Sequence, residues 1–140
     1  MARWLDTVEG ITNLFKIDEY YKSKPIFLLA NSVFPALKND KYVTYKSGSE
    51  IKGLCTYAFL TNEEIETNEF DGETVFARNE GSNLHFCQFL CHGTKREVFK
   101  FVREIQRTLS EKYPDHMNAS GTRKKSGSTR PELWFRKDLT

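Results

Sequence analysis

Leu84-His-Phe-Cys-Gln-Phe-Leu-Cys91, running directly into His92-Gly-Thr-Lys-Arg-Glu-Val98, is the stretch on which the fold turns. Its first eight residues are almost uninterruptedly apolar, which predicts a central strand buried on both faces. After Gly93 and Thr94 the period changes. Val98, Phe99, Val102, Ile105 and Leu109 recur at helical spacing, and Tyr113-Pro114-Asp115 closes that helix.

The rest of the chain reads outward from this unit. Trp4, Leu5, Val8, Ile11, Leu14 and Phe15 mark an amphipathic helix over Ala2 to Phe15. Pro25 behind Ser23 opens a second, mostly apolar helix to Leu37, with Pro35 predicting a kink or an early end. Tyr42 to Tyr45 and Ile51 to Leu60 are β-prone runs joined by Ser47-Gly48-Ser49, an antiparallel hairpin. Thr61 and Glu64 have capping-box spacing for a brief acidic helix. Asp71-Gly72 is a turn, and Thr74 to Ala77 reads as a further strand. Residues Asn118 to Thr129 are basic and turn-rich, and Glu132 to Arg136 reads as a last strand. Helices and short strands in this order predict an α+β fold. It is one domain over residues 1–140, with a mixed, mostly antiparallel central sheet flanked by helices.

Composition removes several classes. With 39% hydrophobic and 29% charged residues the chain can close a core, so it is not a wholly disordered protein. No apolar run approaches the roughly 20 residues of a membrane helix. The first residues lack a secretory pattern, and three cysteines make no disulfide framework. The expectation is a reduced, cytoplasmic protein without a transmembrane segment; its oligomeric state is left open, a homodimer included. Net charge is only +2, yet residues 1–94 carry 9 Lys and Arg against 13 Asp and Glu, and residues 95–140 carry 12 against 6. A basic C-terminal third fits an anionic partner: a phosphate, an acidic carrier protein or nucleic acid. It also fits a solvated basic face.

The strand-to-helix junction carries the most chemistry. A helix start offers free amides and the positive end of the dipole to an anion. Gly93 permits close backbone approach, Thr94 adds a hydroxyl, and Lys95 and Arg96 add charge, so a phosphate or pyrophosphate suits these four residues. A plain capped helix uses the same residues, and no Walker or dinucleotide glycine pattern accompanies them. His85 and His92 are the candidate general bases, since histidine titrates near neutrality. Cys87 and Cys91, four apart in a strand, are expected to share one face. No CxxC exists, and no metal site is expected. Trp134-Phe135 between Arg130 and Arg136 resembles the aromatic-basic interleaving of nucleic-acid readers.

The segment Pro25-Ile-Phe-Leu-Leu-Ala-Asn-Ser-Val-Phe-Pro35-Ala-Leu, then Lys41-Tyr-Val and Cys55-Thr-Tyr-Ala, resembles the toxin-activating lysine acyltransferases, the hemolysin C family. The resemblance continues through Leu84–Gly93, Val98–Leu109 and Gly121–Lys125, covering roughly residues 18–137. It implies a GNAT-like fold in which a donor's phosphopantetheine lies against splayed central strands and its phosphate meets the helix start after the central strand. It also implies transfer of an acyl group from acyl carrier protein, or from CoA, to a protein lysine. No tightly bound cofactor is implied; the acyl-carrier-protein or acyl-CoA thioester is the donor.

The sequence departs from that pattern at the catalytic pair. The family's histidine position falls at about Tyr21 and its aspartate position at Gln88. A tyrosine with a pKa of about 10 is a poor base at neutral pH, and glutamine accepts no proton. Two readings follow. One is an acyltransferase with a changed site, in which His85 or His92 supplies the base. The other is a catalytically degenerate binding module, of the kind a phage could use as an accessory or inhibitor. Such a module would act on a host protein or nucleic acid through Arg123, Lys124, Lys125 and Arg130.

Overall fold

The computed structural model describes the backbone of residues 2–17, 31, 33–67, 69–81, 83–114, 119–122 and 131–135, and the side chains of 7–17, 31, 33–67, 69–81 and 83–114. The predicted Pro25 helix start, Tyr21, the Arg123–Arg130 basic run and the side chains of Trp134 and Phe135 lie outside the described residues.

Helix α1, Ala2–Ile17, forms where its apolar spacing places it, burying Ile11, Leu14 and Phe15. Pro35 stands in the first turn of the short α2, Phe34–Lys38, where its missing amide would have had no partner anyway; the helix expected before it lies mostly outside the described residues. That helix closes in a Schellman turn: the Lys41 amide donates to Ala36 O and the Asp40 amide to Leu37 O. Asp40 takes the left-handed conformation the turn requires, at φ 56°.

The hairpin follows, β1 Tyr42–Ser47 and β2 Glu50–Leu60, turning through Gly48 at φ 65°. Thr61 and Glu64 then form the expected reciprocal cap on α3, Asn62–Thr67. Thr74 to Ala77 is not a strand. Gly72–Val75 is one helical turn, α4, held by the Phe76 amide on Gly72 O and by the Gly72 amide on Asn31 Oδ1. Val75 and Phe76 are both buried, in the cluster of Ala36, Ala58 and Leu60 that covers this side of the sheet.

The quoted stretch forms the expected pair, β3 Asn83–Cys91 and α5 Lys95–Lys112. Beyond it Ala119–Thr122 forms β4, where the sequence predicts only turn, and Pro131–Phe135 forms β5. The five strands make one sheet in the order β1-β2-β3-β4-β5, antiparallel throughout except for the parallel β3–β4 pair. The class is therefore α+β with a mixed, mostly antiparallel sheet. No described helix is long and apolar enough to cross a membrane.

Helices cover both faces of the sheet. On one face Cys55, Tyr57, Phe59, Leu84 and Phe86 pack against Phe101, Ile105 and Leu109 of α5. On the other, Leu54 and Leu90 meet Ile11, Leu14 and Phe15 of α1, while Ala58 and Leu60 meet Ala36, Val75 and Phe76. Double coverage explains why β2 is buried from Gly53 to Leu60 without alternation.

Candidate functional site

The β3–α5 junction is built as a reciprocal cap. Thr94 Oγ1 accepts from the Glu97 amide at 3.2 Å, and Glu97 Oε1 accepts from the Thr94 amide at 3.1 Å. Those bonds hold the Glu97 carboxyl below its ordinary range, with Lys52 Nζ 3.9 Å away adding to the effect. The helix start thus carries a carboxylate of its own. A phosphate there would take the first-turn amides of Lys95 and Arg96, both exposed, and would lie beside Glu97 or displace it. Gly93 is also exposed, and a side chain at that position would run into Glu97 Cβ at 2.9 Å. Gly93, Thr94, Lys95 and Arg96 are therefore together at one accessible corner, with Glu97 among them.

Next to the corner, β3 is irregular. Thr56 of β2 pairs with Gln88, yet Tyr57 pairs with Phe86, leaving Cys87 as an extra residue. The bulge resets the alternation. Cys87 packs with Ala58 and Phe76 on the α1 side, and Cys91 packs on the α5 side. The two cysteines thus face opposite ways, correcting the shared face that their spacing predicts. The same reset places Gln88 on the α1 side, directly opposite Thr56. Pairing of β3 with β4 covers Leu84, His85 and Phe86 only. From Cys87 onward β3 has no described neighbour on that edge.

Thr56 lies in a row across three strands, Tyr42–Thr56–Gln88, with apolar clusters to either side along the strands. Its side chain is wholly buried and its Oγ1 makes no hydrogen bond. Leaving a hydroxyl in that state costs about 1–3 kcal/mol, so it is an unusual occupant of a core strand.

The two histidines are not brought together. His85 lies near the start of β3, paired with Ala58 and 4% exposed, and burial pushes its pKa down to about 4. It is neutral at pH 7 and a weak base. His92 stands just past the other end, half-buried, its amide donating to Lys52 O at 2.7 Å. Of the two, His92 adjoins the Gly93–Arg96 corner, and His85 shares the α1-side face with Cys87 and Gln88. Burial raises the Cys87 thiol to about 12, and Cys55 and Cys91 also rise, chiefly through burial. None of them is an activated nucleophile. Among the described residues no group of three His, Cys, Asp or Glu is arranged to hold a metal.

A second polar cluster, absent from the sequence reading, sits at the far end of α5. Lys112 Nζ donates to Asp40 O at 2.6 Å, to Asp40 Oδ2 at 3.0 Å and to Tyr57 Oη at 3.3 Å, and Tyr57 Oη lies 3.4 Å from Tyr113 Oη. Beside it the buried Lys41 ammonium donates to Asn39 O and Asn79 Oδ1. Burial and then the Lys112 charge lower its pKa. This cluster ties the α2–β1 turn to the last turn of α5, and every polar group in it is engaged within the fold. An open groove of about 760 Å³ between α1 and the β1–β2 turn is lined by Gly10, Asn13, Ile17, Lys46 and Glu50. It contains none of the sequence-predicted site residues. Compared with family models and with curated proteins, the sequence matches none of them.

Proposed function

We propose that the protein is an acyltransferase-type domain that holds a phosphopantetheine thioester, from acyl carrier protein or CoA, along the second half of β3. The observation that carries this reading is the geometry of β3 itself. It is bulged at Cys87, is paired with parallel β4 at Leu84, His85 and Phe86 among the described residues, and runs directly into the exposed Gly93–Arg96 corner. An extended arm lying along the second half of β3 would find backbone amides and carbonyls for its own amides, and its phosphate would reach the first turn of α5. In this reading Gly93, Thr94, Lys95 and Arg96 receive the phosphate. Among the described residues His92 is the imidazole nearest to it, Gln88 stands beside the acyl end, and a protein amine is the acceptor.

Acyl transfer to an amine also needs a base, and here the sequence and the geometry agree in offering little. Gln88 takes no proton and His85 is held neutral by burial. The internal carboxylate of Glu97 on the phosphate corner favours a second reading, a binding module that retains the scaffold without turnover. Its partner is then a host protein or nucleic acid. One experiment separates the two. The protein is incubated with acyl-CoA and acyl-carrier-protein donors of graded chain length together with lysine-bearing protein acceptors; acylation is scored by mass spectrometry and donor binding by calorimetry. Transfer from any donor supports the acyltransferase. Donor binding without transfer supports the quiet module. Neither binding nor transfer overturns the thioester reading.

A further inference from the structure

We infer that Thr56 and Gln88 form a neutral hydrogen-bonding seat for the carbonyl of an acyl or amide group, with Thr56 Oγ1 as the donor; this rests on the thioester reading above and names the part of the ligand those two residues would take. A threonine in a doubly covered strand gains nothing from its hydroxyl unless something accepts from it, and valine has nearly the same shape without the polar atom. At Thr56 the hydroxyl is present, wholly buried and unbonded. The residue opposite it is not apolar either. The Cys87 bulge brings the Gln88 amide to the same face, where unbroken alternation would have sent it toward α5. Two distinct features of the chain, an unsatisfied hydroxyl and a register shift, therefore meet at one point of the sheet.

The chemistry of that point selects its ligand. A hydroxyl and a carboxamide can donate to an uncharged oxygen and carry no charge to balance a phosphate or carboxylate. The charges lie elsewhere, at Lys95 and Arg96 beyond the end of β3. Gln88 is partly exposed and Thr56, its cross-strand partner on the same face, is buried, so a carbonyl group would approach from the Gln88 side. The arrangement suits a chain whose anionic end rests at the α5 start and whose neutral acyl end reaches back along β3.

The test uses Thr56→Val and Thr56→Ser in the full chain, with three probes: CoA, acetyl-CoA and N-methylacetamide. The seat predicts a Thr56→Val melting temperature equal to or above the parent's, because no bond is lost. It also predicts that acetyl-CoA affinity falls roughly tenfold in Thr56→Val, while CoA affinity is unchanged and Thr56→Ser behaves as the parent. In N-methylacetamide titrations the Gln88 side-chain amide resonances shift saturably in the parent and not in Thr56→Val. A Thr56→Val protein that melts lower while Thr56→Ser does not shows that the hydroxyl is bonded within the fold, which overturns the seat. Unshifted Gln88 resonances with N-methylacetamide, or equal losses for CoA and acetyl-CoA, overturn it as well. A saturable N-methylacetamide shift without CoA or acetyl-CoA binding leaves the seat standing and removes the thioester reading.

Discussion

Burial keeps the His85 imidazole neutral down to about pH 4, whereas in the unfolded chain it protonates near 6.5. Between those values the unfolded state binds the extra proton, so stability falls as pH falls, and the full loss is about 3 kcal/mol. Glu64 acts in a lower window. Its carboxyl accepts from Arg78 at 2.7 and 3.0 Å, and those bonds hold its pKa at about 2 instead of 4.5. The stabilisation is complete above pH 4.5 and disappears as pH falls toward 2, with a size of about 1 kcal/mol because the pair is partly solvated. Urea denaturation as a function of pH checks both. The parent loses stability between pH 6.5 and 4; His85→Gln flattens that limb, and Glu64→Gln flattens only the limb below 4.5. A His85→Gln curve as steep as the parent's contradicts the assignment. At this scale the residue types were legible in the sequence but their states were not. His85 reads as a general base until burial in β3 is known, and nothing in the sequence marks the hydroxyl of Thr56 as unbonded.

At the scale of elements, two contacts decide local structure. Gly72 donates its amide to Asn31 Oδ1, and a Cβ at Gly72 would collide with the Asn31 carbonyl oxygen. Gly72→Ala is expected to cost about 2–3 kcal/mol, within the range of overpacking, and a melting temperature unchanged from the parent's would contradict the close approach. At α5, Thr94→Ala removes one half of the reciprocal cap and is expected to cost about 1 kcal/mol, read from chemical denaturation. Glu97→Ala removes the internal carboxylate and is expected to tighten inorganic phosphate binding at the helix start, measured by amide shifts of Lys95 and Arg96. Equal or weaker phosphate binding in Glu97→Ala contradicts the competition. The Thr61–Glu64 cap is readable from its spacing, whereas at the start of α5 the residues Gly93 to Arg96 suit a phosphate as well as a plain cap, and only the structure shows the Thr94–Glu97 bonds. The bulge at Cys87 was not readable, because a run apolar on both faces shows no alternation for an extra residue to interrupt. Thr74-Val75-Phe76 is β-prone locally, and tertiary burial of two consecutive side chains overrode that propensity.

For the whole molecule, the α+β class followed from the order of periodicities, and the sheet order confirms a mixed, mostly antiparallel arrangement. The parallel β3–α5–β4 crossover was only half visible, since Ala119-Ser-Gly-Thr122 has too few apolar residues to read as a strand. The basic C-terminal third begins at the exposed start of α5, and the acidic two-thirds lie before it. Anion binding at the start of α5 is accordingly expected to weaken with added salt. On the proposed function, the corner and the second half of β3 together accept a phosphopantetheine carrier. Backbone amide NMR during titration with CoA tests it most directly. The claim predicts saturable shifts at Gln88 and from Gly93 to Arg96 in one binding isotherm, with α1 unmoved; resonances of Gly93–Arg96 that stay in place while the protein remains folded would contradict it.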